Sequence, residues 1–184
     1  GRLVGLAERL VSEAHVDGMV RRLPYLGALR VAPDRRGRIA VLRNGFRVLR
    51  ERAERPDDLP FALTSITADN TAARRVLGAG LGGLPVYRPV GDFSTFALRP
   101  RRGRPATFVA PATAADLPAL AAFLTANLAR HQFASHWSEA KLRRLLATGL
   151  APEHVLLARR GGSIVGSLAV WDQRARRQTV IRRL

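Results

Sequence analysis

The junction between Leu29 and Ala53 constrains the fold of this chain more than any other stretch. Residues 19–31 place Val, Leu and Tyr over short runs and read as a strand. The run ends at Pro33, which has no N–H to donate to a ladder. A basic turn, Asp34-Arg35-Arg36-Gly37-Arg38, follows. From there Ile39, Leu42, Phe46, Leu49 and Ala53 fall at i, i+3, i+7, i+10 and i+14, one apolar stripe of a helix over 39–54. Gly45 lies inside that helix at a cost of ~1 kcal/mol relative to Ala, and Pro56-Asp57-Asp58 stops it. A strand, a Gly turn and a helix start in that order aim free backbone N–H groups and the positive end of a helix at one point, which suits an anion.

The rest of the chain alternates short strands and helices. Residues 2–11 read as a strand preceding 19–31, with a hairpin turn at Asp17-Gly18 flanked by His15-Val16 and Met19-Val20. Phe61–Ile66 reads as a buried strand. Asp69 or Asn70 caps a helix whose apolar residues are Ala73, Val76 and Leu77, and Gly78, Gly80, Gly82 and Gly83 end it. Gly78-x-Gly80-x-x-Gly83 follows a helix and precedes Pro85, so it is a glycine-rich connection and not a dinucleotide fingerprint. Val86–Val90 and Phe93–Leu98 read as strands. Pro100-Arg101-Arg102-Gly103-Arg104-Pro105 is the best linker. After it the pattern restarts: a strand at Thr107–Ala110, a capping box Thr113-x-x-Asp116 and a helix with Leu117, Leu120, Ala121, Leu124 and Leu128 on one face. Ser138 caps a further helix through Leu142, Leu145 and Leu146. His154–Arg159 and Ser163–Trp171 form a hairpin across Arg160-Gly161-Gly162, and Gln178–Ile181 starts another strand.

The 184 residues carry no Cys, which excludes disulfides and thiolate chemistry and fits a reducing, cytoplasmic compartment. No apolar run approaches the ~20 residues that span a bilayer. The formal net charge of +17 raises nucleic acid as a partner. Against it, the basic residues are spread through every segment. The aromatics, 6% of the chain, are not interleaved with them as a stacking platform requires. Lys141 is the only lysine among 31 basic residues, a bias typical of a GC-rich bacterial gene. The first residue, Gly1, reads as the middle of a strand pair, and the chain reads as a fragment cut at both ends.

Residues 25–40 resemble the acetyl-coenzyme A segment of the GNAT-family N-acetyltransferases. There Leu-x-Val-x-Pro closes the fourth strand and (Gln/Arg)-x-x-Gly-x-(Gly/Ala) wraps the pyrophosphate. Here Leu29-Arg30-Val31-Ala32-Pro33 supplies the first pattern. Arg36-Gly37-Arg38-Ile39-Ala40 follows the second but is one glycine short. Asp69-Asn70-Thr71-Ala72-Ala73-Arg74 resembles the family's Asn-x-x-Ala-x-(Arg/Lys) segment. Gly1-Arg2-Leu3-Val4-Gly5 echoes Gly162-Ser163-Ile164-Val165-Gly166, as two copies of one domain type would.

The resemblance implies an α/β fold with a mixed, mostly antiparallel twisted sheet and helices on both faces, present as two incomplete copies. Residues 1–99 would be strands two to seven of a first acetyltransferase domain, 100–105 a linker, and 106–184 strands one to four of a second. It implies acetyl-CoA as cosubstrate, with pantetheine on Leu29 and Val31 and the pyrophosphate on Arg36, Gly37, Arg38, Ile39 and Ala40. Asn70 would lie near the pantetheine. Glu8 and Glu13 lie where relatives place a carboxylate that takes the amine proton. Val76 and Leu77 occupy the region where the family often carries an acid Tyr, so Tyr87 or Tyr25 would replace it. His131 and His136 suit no metal site. The acceptor would be a small-molecule or peptide amine, no membrane is involved, and the oligomeric state stays open. Two other classes remain: a non-catalytic acetyltransferase-like scaffold, favoured by the missing glycine and Tyr, and an Arg-rich nucleic-acid binder.

Overall fold

The computed structural model describes residues 1–53, 55–96, 103 and 106–172. The chain is mixed α/β, with two small antiparallel sheets among the described residues. It divides into two compact units, Gly1–Asp92 and Phe93–Leu184. The linker read at 100–105 lies outside the described residues apart from Gly103, and so does the strand read at Gln178–Ile181.

The first unit is built on one long hairpin. Strands β1 (Gly5–Val16) and β2 (Met19–Val31) run antiparallel from the Val16–Met19 pair to the Gly5–Val31 pair. Asp17 and Gly18 turn the chain with φ of 51° and 74°, the left-handed pair that matches strand twist in a two-residue hairpin. β1 is five residues longer at its far end than the 2–11 run suggested, because cross-strand pairing with β2 carries Ser12–Val16 to the turn. Helix α1 (Ile39–Ala53) follows, and its stripe behaves as the spacing requires. Phe46 is buried and Ile39, Leu42 and Leu49 are partly covered, while Arg43, Arg47 and Arg50 are exposed. Helix α2 (Thr71–Gly78) buries Leu77 and is capped by Asn70, whose side chain accepts from the Ala73 N–H at 3.1 Å.

Three expected strands do not form, two of them in this unit. Phe61–Ile66 is not a buried strand: Phe61, Ala62 and Ser65 are exposed, and among the described residues the 58–63 stretch pairs with β2 through isolated parallel bridges at Arg22–Asp58 and Tyr25–Leu63 rather than a ladder. Leu59 and Leu63 are four positions apart, whereas Arg22 and Pro24, whose carbonyls they bond, are two apart. The chain therefore bows outward at Pro60, which has no ladder donor. Val86–Val90 and the described part of Phe93–Leu98 also have no ladder. Pro85, Pro89 and Gly91 break the pairing pattern, and Val86, Val90, Phe93 and Phe96 are each at least 72% exposed.

The second unit contains β3 (Val109–Pro111), α3 (Leu117–Leu128), α4 (Glu139–Leu146), β4 (Val155–Arg160) and β5 (Ser163–Ala169). The sheet order is β3-β4-β5, antiparallel throughout. Asp116 holds the start of the first helical segment: its carboxylate accepts from both the N–H and the hydroxyl of Thr113 at 2.8 and 2.9 Å. Ser138 caps α4 by accepting from the Lys141 N–H. The core is Ala112, Leu117, Leu120, Ala121, Leu142, Leu150, Val155 and Leu157, with Trp137 and Trp171 packed against it.

Candidate functional site

The candidate site lies where β2 passes from the hairpin into α1. A β-bulge precedes it. Leu6 pairs with Arg30 and Glu8 with Gly27, so Ala7 alone faces both Ala28 and Leu29. Ala28 takes φ of 52° there, a left-handed conformation that costs a non-glycine roughly 1 kcal/mol. Such bulges sharpen strand twist and redirect the chain that follows.

The bulge coincides with a fork. Up to Leu26, β2 is joined along its outer edge to the 59–63 segment. Leu59 N–H donates to the Arg22 carbonyl, Leu63 N–H to that of Pro24, and Leu26 N–H to that of Leu63, at 2.8–2.9 Å. The next rung does not form between backbones. The Leu26 carbonyl instead accepts the Thr64 hydroxyl at 2.8 Å. From Gly27 to Val31 the outer edge of β2 has no backbone partner among the described residues. Ala32 N–H donates to the Val4 carbonyl, so β2 faces β1 at Ala32, and alternation turns the Val31 N–H and carbonyl away toward the open side. The Leu29 carbonyl is occupied by the Arg30 guanidinium at 3.0 Å.

Beyond Val31 the chain makes one 3₁₀ turn at Pro33–Arg35 and reaches Gly37 at φ of 77°, a conformation glycine adopts without Cβ strain. An added Cβ there would meet nothing within 4 Å. Helix α1 then starts. Arg38 N–H donates to the Arg35 carbonyl and Val41 N–H to the Arg38 carbonyl, whereas the N–H groups of Gly37, Ile39 and Ala40 find no acceptor among the described residues. Arg36 and Arg38 are exposed and form no ion pair among those residues, in contrast with Arg35, 3.4 Å from Asp34. Free amides, the positive end of a fifteen-residue helix and two uncommitted guanidinium groups thus meet at one place. A shallow depression of about 200 Å³ lies alongside, lined by Leu3–Leu6 and Arg30–Ala32.

The other sequence candidates sit as follows. Glu8 pairs with Gly27, and the ring of Tyr25 folds over that glycine: a Cβ at Gly27 would lie 2.9 Å from Tyr25 Cε1. Glu8, Tyr25 and the bulge therefore share one face of the hairpin. Glu13, five residues further along β1, points to the opposite face, across from Arg22. Tyr87 is half-buried in the irregular 85–96 stretch, where burial holds its phenol above the usual value of 10.0 and keeps it protonated. Asn70 spends its side-chain oxygen on the α2 cap.

Two groups were not singled out by sequence. Asp58 is buried between Arg9 and Arg22, which donate to its two oxygens at 2.6 and 2.8 Å. Those hydrogen bonds, Arg9 first, hold its carboxyl below the usual 3.8. Ser65 meets Tyr25 Oη at 2.6 Å. Neither position belongs to a motif, and only the pairing of β2 with the 58–65 segment brings them into place.

Among the described residues no three His, Asp or Glu side chains converge as a metal site requires, and no helix is long and apolar enough to cross a membrane. Compared with protein-family models, with curated proteins and with solved structures, the chain gives no match.

Proposed function

We propose that the chain is part of an acetyl-CoA-dependent N-acetyltransferase of GNAT type, and that the β2–α1 junction holds the coenzyme. The observation that carries this reading is the fork after Leu26 joined to the free amides of Gly37, Ile39 and Ala40. Coenzyme A needs both. Its pantetheine arm carries amides that bond an open strand edge, as an added strand would. Its pyrophosphate needs N–H groups at a helix start and positive charge. Val31 offers the first, and Arg36 to Ala40 the second. The glycine missing between Arg38 and Ile39 is compensated in part by Gly37, which already supplies the left-handed turn.

In this reading β1, β2, α1, the 58–65 segment and α2 form the coenzyme-binding half of one domain copy. The order β3, α3, α4, β4, β5 in the second unit has the strand–helix–helix–strand–strand sequence of the front half of another. The reaction is attack of an amine on the thioester carbonyl. It draws on positioning of the two reactants and on donors aimed at the developing oxyanion. Glu8, exposed on the Tyr25 face, is the carboxylate placed to accept the proton that the amine releases, through water.

Titration of the chain with acetyl-CoA by calorimetry tests the reading. Binding is expected. Arg36→Ala with Arg38→Ala should weaken it by about tenfold or more, given the usual worth of hydrogen bonds to charged groups. Absence of heat at millimolar ligand would favour the second reading, a scaffold that has lost the cofactor, which the shortened glycine turn supports.

A further inference from the structure

The geometry points to Tyr25 and Ser65 as a paired-hydroxyl proton donor for the leaving thiolate of a thioester held in the fork of β2. This rests on the acyl-CoA reading above and adds the acid that the reading lacks, since α2 carries no phenol.

Three observations converge. First, Tyr25 Oη and Ser65 Oγ are 2.6 Å apart, a short bond between two hydroxyls, either of which can donate. Second, they come from the two arms of the fork and meet at its closed end. Tyr25 lies one residue before Leu26, where the shared ladder ends, and Ser65 one residue after Thr64, whose hydroxyl closes it. A chain that enters the open edge along Val31 and Leu29 reaches this pair at its inner end. Third, the pair is accessible. Ser65 is exposed, and the Tyr25 ring is only partly covered, held in place by Gly27, the one residue type that leaves room for it.

The step balances without another reactant. The amine nitrogen forms a bond to the carbonyl carbon, and the carbon–sulfur bond breaks with its electron pair on sulfur. Sulfur takes the phenolic proton of Tyr25. Ser65 holds its hydrogen bond to the phenolate, which regains its proton from solvent. The proton lost by the amine passes through water to Glu8, on the same face of the hairpin. The phenol is the stronger acid of the pair and the Ser65 hydroxyl behind it stabilises its anion, so Tyr25 is the donor to sulfur and Ser65 its support.

The test requires no acceptor. Coenzyme A itself is added to the full chain, binding is measured by calorimetry, and the thiol of the bound coenzyme is titrated by its ultraviolet thiolate absorbance. Hydrogen bonds to the thiolate favour the charged form. The bound thiol should therefore ionise about one pH unit below free coenzyme A. Tyr25→Phe should return it close to the free value with binding retained, and Ser65→Ala, at an exposed position, should produce a smaller return. If coenzyme A fails to bind, the acyl-CoA reading falls and this assignment with it. If it binds, and the thiol ionises alike in wild type and both variants, the Tyr25–Ser65 assignment alone is overturned.

Discussion

Asp58 shows how much a single side chain can organise. Its carboxylate is almost fully buried, and two guanidinium groups on adjacent strands satisfy both oxygens. Removing one partner of such a group leaves charge without compensation. The chemistry also fixes a pH dependence. The folded carboxyl ionises below its ordinary value, so the unfolded chain binds more protons in the acid range and stability rises with pH there. The contribution is complete above the unfolded pKa of about 3.9 and is lost as pH falls through the lower folded value. Asp58→Asn should therefore lower the urea midpoint at neutral pH. The gap between variant and wild type should narrow in acid. A gap that stays constant from pH 7 to pH 3 would contradict the ion-pair account. Arg9 and Arg22 cannot be recognised as its partners from sequence, since 49 and 36 residues separate them from Asp58.

At the scale of elements, the helices follow local rules and the strands do not. The stripe of α1, the cap of α2 at Asn70, the Thr113–Asp116 box and the Ser138 cap each depend on residues no more than four positions from the next. Local spacing is enough to reveal them. Gly45 is a weak point in α1. It lies on the exposed face, and an added Cβ would touch nothing within 4 Å. Gly45→Ala should raise stability by about 1 kcal/mol in a denaturant titration. No gain would mean that this helix contributes little to the cooperative unit. Strands need partners at a distance. Val86–Val90 has the composition of a strand, but its prolines and the absence of a partner among the described residues leave it exposed and irregular.

For the molecule as a whole, the division into Gly1–Asp92 and Phe93–Leu184 is the main feature of its organisation. The basic run Arg101-Arg102 lies between the last element of the first unit and β3, and sequence composition marks it as a linker. Trypsin should cut there first; cleavage after Arg99 and Arg104 is blocked by Pro100 and Pro105. Four arginines in α1 offer competing sites. Early cleavage at Arg43, Arg47, Arg50 or Arg52 with the linker intact would contradict this organisation. Mass spectrometry of the first fragments decides between the two.

The sequence by itself determined the hairpin at Asp17-Gly18, the four α-helices among the described residues, the caps at Asn70, Thr113 and Ser138, and the strand–turn–helix junction at 29–40. Each is set by backbone preference and by side-chain spacing within one or two turns of chain. Tertiary structure alone decided the bulge at Ala28, the fork after Leu26, the burial of Asp58 and the meeting of Tyr25 with Ser65. These depend on the register between β1 and β2 and on where β2 parts from the 58–65 segment. A shift of one residue in either pairing turns every side chain to the other face. No local pattern encodes that register; long-range packing selects it.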